Sequence, residues 1–506
     1  MTDIAEGVKL APPAAEASSA FAVEQHGIDH IGESERRGRP FDLFWIWFGA
    51  NLIFTYVIDG AIIVGFGLSF WAAITVAVLG SCFSVLIGLC AIPGARAGTA
   101  TLAISRSAFG VRGNAPVAFL SWLTAVGWEA VNIVIGALSL YEIAQQWGAG
   151  SGATWKAAAL ALVVVLTFGV AILGIAAITV LNKVFSYVLA IGTVVLGILV
   201  LPKTNFHAHP HLTAPTHLGA WLLALLVMAA APLSWVNTAA DYSRYLPSRT
   251  SGRRITLWTT LGNAIPAVLI TMIGVAAATA TDMSDPVAGL KNILPSWFFV
   301  GYLAVIVGGT ITNNFLNTYS SGMSLLALGL KVKRWQAVVI DATVGSALSI
   351  YALFVFDFTN SFIEFLSLMV LWIAPFGGVY LADMLLRRGR YDVDALYATS
   401  GRYWFWNGWN LHAVGWFLAG VAGAALFSSS AAFDGPLVSS IGGGDISIYV
   451  GLAIPFLGYL LTMRRRIGAI PDAALLPTHR SSEPVAGLPA PSQLVEPHNS
   501  GPAGRE

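Results

Sequence analysis

Three amides within five residues mark the stretch GGTITNNFLNTYSSG. Thr310, Asn313, Asn314, Asn317 and Ser321 follow the spacing 0, +3, +4, +7, +11, which draws one polar stripe down a helix. Amides both donate and accept hydrogen bonds, as reading an exocyclic amine and a ring carbonyl requires. A second group sits in GWEAVN, where Asn132 lies three residues from Glu129 and four from Trp128. A flat ring, a carboxylate and an amide converging on one point suit a planar ligand with hydrogen-bonding edges. APLSWVNTAADYSRY adds Ser234 and Trp235, a second stacking surface, after Pro232, which removes a backbone donor and favours a break. Asp241 and Arg244 follow, and read as a structural or gating pair. In WFGANLIFTYVIDG, Asn51, Thr55 and Asp59 repeat every four residues among glycines, as a discontinuous helix lining a cavity would. A glycine-rich packing face is the alternative there, and an amide ladder between helices is the alternative for the Asn313 stripe.

The elements that carry these groups are set by composition. Of 506 residues, 56% are hydrophobic, 11% aromatic and 10% charged, against about 25% charged in soluble domains. Several apolar runs exceed the roughly 18 residues needed to cross a bilayer. An Asp at mid-membrane costs about 2.5–3.5 kcal/mol on insertion scales, so polar groups there usually face a bundle interior or a water-filled cavity. Twelve helical spans are expected, at about 42–67, 69–92, 114–140, 155–178, 180–201, 218–240, 255–281, 298–329, 335–356, 359–386, 407–427 and 446–463. With residues 1–40 placed in the cytoplasm, 24 of the 27 Lys and Arg fall inside; Lys156, Lys203 and Lys291 fall outside. The topology therefore has both termini in the cytoplasm, with polar tails at 1–40 and 467–506 flanking a transmembrane domain at 41–466. The second tail, rich in Pro, Ala and Ser, reads as disordered.

Other chemistry is poorly supported. The net charge of +1 points to no nucleic-acid partner, and Cys82 and Cys90, both in apolar runs, make neither a disulfide scaffold nor a metal cluster. HExxH and GxSxG motifs are absent, so no enzyme is expected. GGGD at 442–445 fits an intramembrane protease pattern, but falls across the bilayer from the Tyr391–Asp392 pair. HAHPH at 207–211 is a weak metal motif. Asp341 and Glu364 carry no discriminating argument.

Taken together, GIDHIGESERRGRPFDLFWIWFGAN, SRSAFGVRGN, GWEAVN, DYSRY and TNNFLNTYSS resemble the nucleobase–cation symporter family, in its purine–cytosine permease branch, over about residues 24–466. The resemblance implies an all-α LeuT-type fold of two inverted five-helix repeats, at about 42–201 and 218–386, followed by two further helices at about 407–463. It implies a substrate site between spans one, six, three and eight, the four singled out above. Asn132, Asn313 and Asn314 match the family's base-binding amides, with Trp128 and Trp235 as ring-stacking walls; Glu129, Ser234 and Asn317 complete the expected substrate site. Sodium-coupled relatives use hydroxyls of the eighth span, where this chain has Gly308 and Gly309, with Thr310 and Thr312 close by. Protons are therefore the expected coupling ion, with Asp59 or Glu129 as the titratable group and Asn51 and Thr310 beside the coupling site. No cofactor is expected. The implied activity is secondary active import of a nucleobase, cytosine or a purine; permeases for uracil, allantoin, hydantoin or thiamine, and a non-transporting sensor, are the alternatives.

Overall fold

The computed structural model describes residues 28–468 other than 174, 209, 331–333 and 431. Most of both expected tails, and the middle of the His-rich motif, therefore lie outside the described residues. Among those described, nine helices are long and apolar enough to cross a bilayer, and the bent pair Asp42–Ala50 and Thr55–Gly65 adds a tenth. Two shorter apolar helices, Ala153–Gly169 and Leu411–Ala425, fall on the fourth and eleventh spans. Each of the twelve expected stretches is thus helical. The boundaries move most at the second span, which divides into Phe70–Ser81, Ser84–Cys90 and Ile92–Ala97. The third runs on to Gln146 and the ninth ends in a π-turn at Tyr351–Val355.

Two spans are broken, one at the start of each expected repeat. The first bends by 62° between Ala50 and Thr55. A break in apolar surroundings strands backbone carbonyls, which must find partners within the protein. Here Asn313 Nδ2 reaches Ala50 O at 3.4 Å, and Asn51 braces the end of the first half: its Nδ2 joins its own N–H on Trp47 O, at 2.9 Å, and its Oδ1 accepts from the Tyr56 hydroxyl at 2.8 Å. The sixth span breaks after Leu233, passes through a 3-10 turn at Val236–Thr238 and resumes at Ala239–Ser243. Ser234 Oγ donates to Ala231 O at 2.6 Å, and Thr101 Oγ1 accepts from Ala240 N at 2.9 Å. Short polar side chains at the breaks thus take over from the interrupted helix ladder.

The broken first span lies in backbone contact with the seventh. An added Cβ at Gly60 would stand 2.5 Å from Thr271 O, and one at Gly274 would stand 2.2 Å from Val57 O. The packing reading of these glycines therefore holds at Gly60, whereas the break itself lies at 51–54, toward the start of the span. Gly60→Val is expected to destabilise the detergent-solubilised protein by about 1–3 kcal/mol through overpacking. Gly65→Ala, with open space around the new methyl, should leave the melting temperature unchanged. Thermal melting of the two variants checks this.

Candidate functional site

The third span (Ala115–Gln146) and the eighth (Ser296–Leu328) run antiparallel and meet along most of their length. The register is visible in its polar pairs. Ser121 Oγ lies 3.0 Å from Ser324 Oγ, Thr318 Oγ1 donates to Glu129 Oε1 at 2.9 Å, and Asn132 meets Asn313 and Asn314. Beyond them, Gly136 faces Thr310, whose Oγ1 would stand 2.8 Å from an added Cβ. The polar stripe of the eighth span therefore faces the third rather than lipid.

At the centre of this seam the amides bond to one another. Asn132 Nδ2 donates to Asn313 Oδ1 at 3.0 Å and to Asn314 Oδ1 at 2.9 Å; Asn317 Nδ2 donates to Asn314 Oδ1 at 3.2 Å. Asn314 Nδ2 donates to the Glu129 carbonyl at 3.2 Å, and Asn313 Nδ2 reaches Ala50 O, at the first-span break, at 3.4 Å. Burial of so many amides is tolerable because each of the four amide nitrogens donates within the cluster or to a backbone carbonyl. In this conformation the cluster is an interhelical ladder joined to the break.

One turn along, a cavity of about 20 Å³ opens between Ser121, Thr124, Ala125 and Trp128 of the third span, Ser234, Trp235, Asn237 and Thr238 of the sixth, and Asn317 and Ser320 of the eighth. That is room for about one water molecule. Trp128 and Trp235 both border it and both are only partly buried. Each has an aromatic backing: Trp128 meets Phe365 edge-on at 5.4 Å, and Trp235 meets Trp47 edge-on at 5.4 Å. Two buried polar atoms of the lining residues have no hydrogen-bond partner among the described residues, Trp128 Nε1 and Asn237 Oδ1. One is a donor and the other an acceptor, as a ring edge bearing both would need.

Of the expected trio, Glu129 diverges. Consecutive helical residues point about 100° apart, so Trp128 borders the cavity while the Glu129 carboxylate turns to Thr318; Asn132, four residues from Trp128, stays on its side of the helix and joins the amides. Asp59 is fully buried in the first span, and neither carboxylate oxygen has a partner among the described residues. Thr310 Oγ1 donates to Val307 O at 3.0 Å within its own helix. The Phe185 ring lies against Gly308, where an added Cβ would collide with it. Asp241 Oδ1 holds Thr101 through its N–H at 2.7 Å and its hydroxyl at 2.9 Å, while Arg244 donates to the Tyr319 hydroxyl at 3.3 Å.

Sequence reasoning passed over Ser121, Thr124 and Ser320, single hydroxyls that no spacing rule isolates. It also left Asn237, two residues after the expected Trp235, without a role. Asp341 is now placed: it accepts from Trp122 Nε1 at 2.8 Å and from Ser321 Oγ. Glu364 accepts from Ala432 N at 3.1 Å, and Asp445 of GGGD caps a helix through Ser447 N at 2.7 Å. A larger hollow of about 580 Å³, between the third, ninth and tenth spans, is lined mainly by apolar side chains, with Thr124, Tyr351, Ser361 and Glu364 among its polar groups.

Most of the chain is similar to known transporters. The YxlA protein of Bacillus subtilis (strain 168), which bears the name of a purine-cytosine permease, is 26% identical over 468 residues, covering 88% of this chain and 97% of the relative. The purine-cytosine permease fcyB of Emericella nidulans is 23% identical, covering 87% and 88%. The vitamin B6 transporter TPN1 of Saccharomyces cerevisiae is 22% identical, covering 87% of each. Among solved structures, the inward-facing conformation of Mhp1 superposes with a TM-score of 0.74 at 19% identity, covering 90% of this chain and 97% of that one. Mhp1 in a closed conformation with bromovinylhydantoin bound, a nucleobase-cation-symport-1 family transporter, gives 0.68 at 21% identity, covering 88% and 96%. These likenesses show the LeuT-type fold. A family model described as permease for cytosine/purines, uracil, thiamine and allantoin matches residues 30–451, and the chain belongs to that family of membrane transporters.

Proposed function

We propose that the chain imports a nucleobase, cytosine or a purine, across the cytoplasmic membrane by proton symport, with both termini in the cytoplasm. The observation that carries this is the pair of tryptophans, Trp128 and Trp235, bordering one small cavity beside an amide cluster, at the junction of both broken spans with the third and eighth. A planar base enters between the two rings, with Asn132, Asn313, Asn314 and Asn317 reading its edge and Ser234 at the sixth-span break beside it. The cavity holds about one water, so the walls part to admit a ring and close again behind it. That requirement is alternating access, one bundle rocking against the other about a fixed site.

Proton coupling is supported by the packing at Gly308, where the eighth span has no side chain and the Phe185 ring of the fifth span lies against it. Asp59 and Glu129, both buried in the bundle, supply titratable groups; Asn51 and Thr310 flank the first-span break and the neighbouring stretch of the eighth span. One inward charge gains about 2.3 kcal/mol per 100 mV, and one pH unit adds about 1.4 kcal/mol. Such a gradient supports roughly 500-fold accumulation per proton. No cofactor takes part. A second reading keeps the site and changes the ring: relatives of comparable coverage are named for vitamin B6 and for hydantoin.

Radiolabelled cytosine uptake in cells lacking their own base permeases tests the assignment. Uptake is expected to be abolished by a protonophore, indifferent to replacement of sodium, and competed by adenine and hypoxanthine. No uptake despite surface expression contradicts the cytosine assignment; uptake of uracil, allantoin or pyridoxine instead selects the second reading. In the same assay, Trp128→Ala should raise the KM by about 5- to 150-fold, as base–aromatic stacking is worth about 1–3 kcal/mol. Trp128→Phe, which keeps a ring, should lose much less.

A further inference from the structure

We propose that the coupling proton rides on Glu129, and that the Thr318 hydroxyl passes its arrival to the amide cluster. This rests on the proton-symport reading above. Thr318 carries one hydroxyl hydrogen, yet its Oγ1 lies 2.9 Å from Glu129 Oε1 and 2.9 Å from Asn314 O. It cannot donate fully to both. When Glu129 is ionised, the hydroxyl donates to the carboxylate, the stronger, charge-assisted acceptor. When Glu129 carries a proton, its own O–H donates to Thr318 Oγ1, and the Thr318 hydrogen swings to Asn314 O. Asn314 is the residue whose side chain accepts from Asn132 and Asn317 and donates to the Glu129 carbonyl. One proton therefore reverses a hydrogen bond at the node where the third and eighth spans share the substrate amides. The proton comes from water on one side of the membrane, binds the carboxylate and leaves to water on the other; no other bond is made or broken.

The surroundings suit a proton better than a fixed counter-ion. The Glu129 side chain is fully buried, and its Oε2 has no hydrogen-bond partner among the described residues. That oxygen faces Gly345 of the ninth span, where an added Cβ would stand 3.8 Å away. The third span packs against the fourth, eighth, ninth and tenth. Among their described residues, the charged group that acts on Glu129 is Asp341, one turn before Gly345 and held by Trp122 and Ser321. Glu364 of the tenth span is turned away to Ala432. Asp59, by contrast, makes no hydrogen bond among the described residues that would link its charge to the amides.

The test uses purified full-length protein in proteoliposomes with radiolabelled cytosine. It compares accumulation under an imposed pH gradient and membrane potential with gradient-free counterflow. Glu129→Gln should lower gradient-driven accumulation from its limit of roughly 500-fold to about one-fold, a far larger loss than any it causes in counterflow. Thr318→Val should lower accumulation at least tenfold, as an order-of-magnitude expectation for a lost coupling contact, with counterflow kept; Thr318→Ser should restore it. Accumulation by Glu129→Gln equal to that of the unmodified protein overturns the proposal, as does loss of coupling in Asp59→Asn but not in Glu129→Gln. If Glu129→Gln loses counterflow as well, Thr318→Val decides: retained accumulation overturns the toggle, and lost accumulation with counterflow intact supports it. An unmodified protein driven by a sodium gradient and indifferent to pH instead removes the proton-symport reading itself, and the proposal with it.

Discussion

Surrounded by lipid, a carbonyl or N–H released from a helix has no water to turn to, and a broken span survives only if side chains stand in. Asn313 does this for the first span, reaching Ala50 O while Asn51 braces Trp47 O and the Tyr56 hydroxyl beside it; Ser234 and Thr101 do it for the sixth. The breaks in turn decide where the chain can bind a polar molecule. They bring Trp235 and Asn237 inward on a 3-10 turn and bring Ala50 O within reach of Asn313. The seam between the third and eighth spans supplies the opposite wall.

That seam has two functions to reconcile. As a packed interface it must satisfy its amides, and Asn132, Asn313, Asn314 and Asn317 bond to one another and to the Ala50 and Glu129 carbonyls. As a binding wall it must offer them to a ligand. The two demands are compatible if a ring replaces internal hydrogen bonds with equivalent ones, so that little is lost on closing without substrate and little is gained by leaving the site half filled. The same exchange explains why the cavity in this conformation is only water-sized while its aromatic walls are already in place and backed by Phe365 and Trp47.

Much of this was legible in the sequence because helical periodicity is local. The stripe from Thr310 to Ser321 and the glycines around Asn51 announce themselves within single segments, and the family motifs rank the same four spans. What periodicity does not carry is rotation and register between spans. Trp128 and Glu129 are neighbours in sequence, yet a helix turns them to different partners, and only the antiparallel pairing of two spans nearly 200 residues apart reveals Thr318 as the partner of Glu129. Asn51 was legible as a polar group at a break, but its use by the backbone depends on the 62° bend. Ser121, which receives Asn237 Nδ2 at 2.6 Å, gives no signal of its own because an isolated serine in an apolar helix is commonplace.

A planar ring that enters between Trp128 and Trp235 takes over hydrogen bonds now made within the amide cluster. An experimental structure with cytosine bound is the most direct test. The ring is expected between the two indoles, with an enlarged cavity and at least one of the Asn132–Asn313 and Asn132–Asn314 bonds replaced by a bond to the ring edge. A ring seated elsewhere, such as the apolar hollow beside Phe365 and Leu368, with the amide cluster unchanged, would contradict it.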